Sequence, residues 1–346
     1  MKKLSWLLLV VVCYLPSVAQ MPKDIFEFEF EGYKMHGVLN MPEDKQPKGI
    51  VLIVHGSGQT NAVAQDWYSD VRAQMLRSGY ATYMWDKRGC GKSEGNFDNN
   101  QTVQNSAEEV IAAIEALKAG KIPGTNVIGL WGISRAGWIN PLVINQYKGI
   151  KFWISVSGVD DKENFGYLLT KNLRINGHPK DSVKLLVEEW TRGNEIAFHG
   201  GSYESYLEAT SNIRKTPFLL RFSNGEGSEA GYYQWQESFM KQNWDSITRL
   251  PVYIENFEDI LSQIDCPVLA LFGEKDMNVD WQKTKALYKR SLGQHVDLEI
   301  QSFPDGNHNL FRCKTGGFYE IQDDKLGWNR CEGFLEAMGE WLKQFD

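Results

Sequence analysis

The 346 residues, 42% of them apolar, suit one sizeable core or a core with an insertion, and no fixed-period repeat or low-complexity tract is visible. The formal net charge of −7 and the lack of a basic stripe argue against a nucleic-acid partner. None of the five cysteines forms a C-x-x-C pair and no His/Cys cluster has zinc spacing, so no metal and no organic cofactor is implied.

The chain opens with Lys2-Lys3, an apolar stretch from Leu4 to Leu15, and Pro16-Ser17-Val18-Ala19. A basic start, a short apolar run and a small-x-small site predict a signal peptide over residues 1–19, cut after Ala19. The apolar run is short for a membrane span. Val12 is also bulky where a lipoprotein signal carries a small residue before its cysteine, here Cys13. The expectation is a soluble exported protein, periplasmic or extracellular, with no stable membrane anchor. Cleavage would remove two lysines and take the net charge from −7 to −9.

Alternation in Ile25–Phe30 and Tyr33–Leu39 predicts a hairpin around Glu31-Gly32. Mostly apolar strands follow at 49–54, 80–85, 127–131, 150–156 and 267–272, with a more alternating one at 296–302. Helical patterns lie at 65–78, 102–119, 135–147, 279–292 and 328–345. Strands alternating with helices predict an α/β fold, a mostly parallel sheet of about eight strands covered on both faces, with the hairpin supplying antiparallel edge strands. Residues 159–256 break this alternation. Ser182–Gly193 and Ser202–Ile213 look helical there, before the aromatic run Tyr232-Tyr233-Gln234-Trp235. The organisation is then a core from 20–158 and 257–346, with an insertion at 159–256 after the sixth strand.

Residues 126–137, Asn-Val-Ile-Gly-Leu-Trp-Gly-Ile-Ser-Arg-Ala-Gly, carry the chemistry. Ser134 sits between a buried strand and a helix, where a tight turn forces a strained backbone. Gly132 and Ala136, two residues to either side, are small enough to let strand and helix close on each other. The turn would lift the hydroxyl clear of the sheet toward a helix N-terminus. A serine hydroxyl needs a base and a group that orients the base. His308, on the glycine-containing loop Phe303-Pro304-Asp305-Gly306-Asn307-His308 after a strand, is the candidate base. Asp276 follows the strand Pro267–Phe272, near Glu274 and Asp280. Asp160 and Asp161, after the strand Ile150–Val156, are rivals for the orienting acid that chain order does not eliminate.

This turn resembles the nucleophile elbow of the α/β-hydrolase family, with Ala136 standing where G-x-S-x-G has its last glycine. His55-Gly56-Ser57-Gly58, after the strand 49–54, is similar to the family's oxyanion loop. Asp86-Lys87-Arg88-Gly89-Cys90-Gly91-Lys92-Ser93 is similar to its D-x-R-G-x-G-x-S turn. The last string is not a phosphate-binding loop, because Asp86 occupies the place of the first glycine that G-x-x-x-x-G-K-[ST] requires.

The resemblance implies a Ser134–Asp276–His308 triad. It also implies an oxyanion hole from the N–H groups of Arg135 and Ser57, with Gly58 the near alternative to Ser57 and His55 a support for the loop. The insertion would be a lid, with most of its aromatics in a small core of its own and some facing the nucleophile. A dehalogenase or epoxide hydrolase of this fold would need a carboxylate at position 134.

The expected activity is an exported serine hydrolase, a carboxylesterase acting on a small-molecule ester. A peptidase or amidase is the alternative, with Glu226, Glu229 and Glu237 available to hold an amine, and a non-catalytic binding protein on this fold is a further one. The Arg135 side chain either binds a substrate carboxylate or is held by its own surroundings. Cys313 and Cys331, 18 residues apart, are either bridged by export into an oxidising compartment or left as thiols. Oligomeric state is not legible.

Overall fold

Strand order decides where the reactive loops of this chain meet. The computed structural model describes residues 23–44, 46–99, 101–160, 165–222, 227–321 and 328–345. The expected signal peptide, Asp161 and Glu226 lie outside the described residues.

The strands in chain order are β1 (Asp24–Phe30), β2 (Tyr33–Asn40), β3 (Ile50–Val54), β4 (Ala81–Trp85), β5 (Ile128–Ile133), β6 (Ile150–Val156), β7 (Asn243–Asp245), β8 (Leu250–Val252), β9 (Val268–Gly273) and β10 (Leu298–Phe303). Eight of them form one sheet in the order β1-β2-β4-β3-β5-β6-β9-β10. The β1/β2 and β2/β4 pairs are antiparallel, and all the others in this sheet are parallel. Register is continuous through the centre, from Ile50 opposite Ile128 to Val54 opposite Gly132.

The core helices are α1 (Ser69–Arg77), α2 (Val103–Ala119) and α3 (Ala136–Gln146). Next come α4 (Phe165–Ile175), α5 (Lys180–Phe198), α6 (Tyr203–Ala209), α7 (Pro217–Phe222), α8 (Glu229–Phe239) and α9 (Phe257–Ser262). The chain ends with α10 (Trp281–Ser291), α11 (Phe318–Ile321) and α12 (Phe334–Leu342).

The period of two in a strand splits the core into two layers. Ile50, Leu52 and Val54 of β3 face a cluster with Ala107, Val110 and Ile114 of α2, Val143 of α3 and Leu287 of α10. Val51 and Ile53 face the other cluster, with Val71 and Met75 of α1 and Phe334, Met338 and Trp341 of α12. Both faces are covered, which is why the central strands read as unbroken apolar runs. β10, at the sheet edge, is more mixed, with Glu299 exposed.

Two helices start later than their patterns suggest. The 65–78 pattern becomes helical only at Ser69, because Asp66 and Tyr68 both have positive φ. The 328–345 pattern becomes helical at Phe334. Arg330 is bridged to Phe311, and Gly333 takes a left-handed conformation just before the helix.

Between β6 and β9 the chain builds α4–α9 and the β7/β8 hairpin; α5 and α6 overlap the two expected helical stretches, whereas the hairpin was not expected. Leu168, Leu169, Leu173, Val183, Leu186, Ile213 and Phe218 form one apolar cluster there. Ala197, Tyr232 and Phe239 form another, with Trp235 stacked on Phe239 at 4.9 Å.

Candidate active site

Ser134 stands between the end of β5 and the start of α3 with φ 58°, a left-handed conformation unusual for a side chain with a Cβ. Such a residue costs on the order of 1–3 kcal/mol and persists only where its surroundings hold it. Here its N–H donates to Val156 O at 3.0 Å and its carbonyl accepts from Gly137 N at 2.8 Å. A Cβ on Gly132 would lie 2.6 Å from Ala136 Cβ, so the position two before the serine admits only glycine. Ala136 is fully buried against it. The loop after β3 passes over the serine: a Cβ on Gly56 would lie 3.1 Å from Ser134 Cβ and 3.7 Å from its Oγ.

Asp276, on the loop after β9, is 1% exposed. Its Oδ1 accepts the N–H groups of Asn278 and Val279 at 2.8 and 2.9 Å, which fixes the carboxylate. Its Oδ2 lies 2.8 Å from His308 Nδ1. His308 belongs to the loop after β10. Asn307 shapes that loop by accepting from Asn309 N and Phe311 N at 2.9 and 3.1 Å. Sequence reasoning missed Tyr167 of α4, whose hydroxyl donates to the backbone carbonyl of Asp276 at 3.2 Å.

Among the described residues Ser134 Oγ takes no hydrogen bond, and such bonds are often long until substrate is bound. The structure therefore joins His308 to Asp276 directly and sets Ser134 at the same end of the sheet, beneath Gly56.

The rival acids are occupied elsewhere. Asp160 is buried and pairs with Lys283 of α10 at 2.5 Å. Glu274 accepts from Ser302 Oγ at 2.8 Å, and Asp280 caps α10. Trp235 and Tyr232, from the aromatic run of the insertion, pack with Tyr206 and Phe239. The Tyr232 hydroxyl donates to Gly201 O at 2.8 Å.

A polar group of four residues, with His55 and Glu109 buried and Lys87 and Arg135 half-buried, lies behind the Gly56 loop. His55 is buried and its Nε2 donates to Trp85 O at 2.7 Å. Burial first, then the charge of Lys87, lowers its pKa to about 3, so it is neutral and no base. Lys87 Nζ donates to Gly56 O and, at 2.9 Å, to Gly58 O. Burial and then Arg135 lower its pKa to about 7, against the pull of Glu109 and Cys90. Glu109 of α2 accepts from Trp85 Nε1 at 2.6 Å and from Gln101 Nε2 at 3.0 Å. Burial raises its pKa, and those hydrogen bonds and the two cations oppose the rise.

The Arg135 guanidinium donates to Ser106 Oγ at 3.0 Å and to Gln101 O, so its own surroundings hold it. Among the described residues, neither the Ser57 N–H nor the Arg135 N–H has a protein acceptor. Sequence reasoning missed Lys87 and Glu109 as partners. The only signal was a carboxylate on the buried face of an amphipathic helix.

The D-x-R-G turn is a structural brace. Asp86 accepts from Val63 N and Lys92 N at 2.9 and 3.1 Å, and Ser93 Oγ donates to Asp86 O at 2.6 Å.

Cys313 and Cys331 are thiols. Phe311 pairs antiparallel with Arg330, which puts Cys331 beside Leu310 and carries Cys313 away along the other direction. Burial raises both thiols to about 11. No group of three or more His, Cys, Asp or Glu able to hold a metal occurs among the described residues.

A mostly parallel eight-stranded sheet with an antiparallel hairpin edge and a strained serine after its fifth strand defines an α/β-hydrolase fold. Residues 45–165 match the family model described as serine aminopeptidase, S33, and residues 251–339 match the dienelactone hydrolase family. The chain has the α/β-hydrolase fold, and its two matched stretches are similar to hydrolase families. Among solved structures it is similar to an esterase of Pyrococcus furiosus, with TM-score 0.53 and 15% identity over 94% of this chain and 93% of that one. It is also similar to a proline iminopeptidase of Mycobacterium smegmatis, with TM-score 0.53 and 16% identity over 93% and 98%. A thiohydrolase of Aspergillus aculeatus is 26% identical over 118 residues, 33% of this chain and 36% of that protein, so the chain matches about a third of the relative's length.

Proposed function

We propose that the chain is a carboxylesterase, exported by means of its basic and apolar first residues, that cleaves a small or medium ester through Ser134, His308 and Asp276. The observation that carries this reading is the 2.8 Å bond between His308 Nδ1 and Asp276 Oδ2 at the sheet end that bears the strained Ser134. With its Nδ1 proton held by the carboxylate, the imidazole keeps a lone pair on Nε2. That nitrogen takes the Ser134 proton as Oγ attacks the acyl carbon. The N–H groups of Ser57 and Arg135, without protein acceptors among the described residues, receive the oxyanion. The imidazolium then protonates the leaving alkoxide, and water, activated by the same nitrogen, releases the acid.

Residues 159–256 act as the lid in this reading. Two contacts support it: Tyr167 is bonded to the carbonyl of Asp276, and Tyr253 packs on Trp138, four residues beyond the nucleophile, at 5.1 Å.

Amide cleavage is the second reading, favoured by the serine aminopeptidase model over residues 45–165. A free amine would need an acid close to Ser134, yet Glu229 and Glu237 are exposed. The ester reading therefore stands first. A fluorophosphonate probe with peptide mapping tests the nucleophile, and modification anywhere but Ser134 removes the mechanism. A panel of p-nitrophenyl esters against aminoacyl p-nitroanilides tests the substrate. Higher kcat/KM on the anilides would exchange the two readings.

A further inference from the structure

Lys87 places its Nζ on two carbonyls of the loop that covers Ser134, those of Gly56 and Gly58, which flank Ser57. The Gly56 carbonyl and the Ser57 N–H belong to the same peptide unit. That unit is planar and trans, as no cis bond occurs among the described residues, so its C=O and N–H point in opposite directions. Fixing the carbonyl oxygen on one side therefore aims the N–H to the other. Gly56 itself lies against Ser134, 3.1 Å from the serine Cβ to a Cβ built on the glycine. An N–H donor on the carbonyl also polarises the peptide and strengthens its N–H as a donor.

We infer that Lys87 is a positioning residue of the oxyanion hole, holding the Gly56–Ser57 peptide so that the Ser57 N–H meets the oxyanion formed at Ser134. The inference rests on the serine-esterase reading above and adds to it what orients the second donor. The arrangement supplies its own countercharge. Glu109, fixed by Trp85 and Gln101, offsets the Lys87 and Arg135 charges from α2. The turn that begins at Asp86 sets where Lys87 stands, since Asp86 is itself tied to Val63 N and Lys92 N. The D-x-R-G string thus does more than brace the sheet: its second residue reaches across to the neighbouring strand's loop.

The test compares wild type with Lys87→Met, which keeps most of the length and loses the donor, on p-nitrophenyl butyrate and against a trifluoromethyl ketone. The ketone adds to the nucleophile and presents a tetrahedral oxyanion. The expected result is a kcat lower by about 10- to 100-fold with KM within about two-fold, and ketone affinity reduced by the same factor as kcat. An unchanged kcat overturns the inference. So does a raised KM at constant kcat, or a loss of kcat without a matching loss of ketone affinity, since a merely structural role would not move the two together. If Lys87→Met does not fold, Lys87→Gln, which keeps an N–H donor, carries the same comparison with a smaller loss expected. Fluorophosphonate labelling of the wild type separates the two levels. An unlabelled Ser134 removes the esterase reading, whereas a labelled Ser134 with a fully active Lys87→Met removes only the role of Lys87.

Discussion

Arg330 and Asp70 tie the histidine loop to the first helix. Nε and Nη2 of the arginine lie 2.5 and 3.0 Å from the two carboxylate oxygens, and Nη1 donates to Asn309 O, one residue past His308. The guanidinium also sits 4.1 Å from the Phe311 ring centroid. Burial alone would raise the Asp70 carboxyl, but the Arg330 hydrogen bond and charge and the Val71 N–H outweigh it and hold it low.

A carboxylate with a depressed pKa contributes stability above its unfolded value, near pH 4, and loses it as pH falls through the folded value. Asp70 is about one-third exposed, so Asp70→Asn should cost only about 1 kcal/mol at pH 7 after solvent screening. The gap between variant and wild type should narrow below about pH 4. Urea midpoints measured from pH 7 downward check this, and a gap that widens in acid would refute the assignment.

Ser134→Ala and His308→Ala should each lower kcat on an ester by about 10³-fold or more while leaving the melting temperature near that of wild type, because the members act as a unit. Asp276→Asn should cost about 10⁴-fold by favouring the wrong imidazole tautomer. Asp160→Asn should instead lower stability and spare most activity, since its partner is Lys283. A dead but folded Asp160→Asn beside an active Asp276→Asn would reverse the choice of acid.

The elbow was legible because its constraint is local: strand and helix must close across Gly132 and Ala136, two residues either side of Ser134. The sheet was legible because strands buried on both faces must be apolar throughout. Asp276 could not be separated from Asp160 by chain order, since only the three-dimensional path of the loops decides which carboxylate meets the imidazole. Lys87 was read as part of a turn because the carbonyls it binds lie 31 and 29 residues earlier. The late start of α12 was hidden because the bridge of Arg330 to Phe311, a residue 19 positions earlier, leaves no local mark in the sequence.

Tyr167 and Trp235 both lie between β6 and β9, yet their surroundings differ. Tyr167→Phe removes the donor to the Asp276 carbonyl, which should cost about 1 kcal/mol of stability and alter kcat several-fold. Trp235→Ala empties a place beside Phe239 and Tyr206, so it should lower the melting temperature and leave the ranking of acyl chain lengths unchanged. A changed ranking in a folded Trp235→Ala protein would put that side chain at the substrate instead.

His55 supplies a test of the polar group behind the nucleophile. Its pKa is lowered by burial, and secondarily by Lys87, to about 3. The unfolded chain binds a proton at this position near pH 6.5, whereas the native protein keeps the ring neutral. Between those values the unfolded state holds the extra proton, so stability must fall as pH is lowered. The loss from this residue approaches about 1.4 kcal/mol per pH unit once the pH is well below 6.5. His55→Gln keeps an N–H for the Trp85 carbonyl but cannot titrate. It should be less stable than wild type at pH 7, through imperfect packing against Tyr68 and Trp85, and should lose less on acidification. Urea unfolding of both proteins at pH 7, 6, 5 and 4.5 provides the comparison. Parallel pH dependences in the two proteins would mean that His55 is protonated in the native state and that the oxyanion loop is not held over a neutral imidazole.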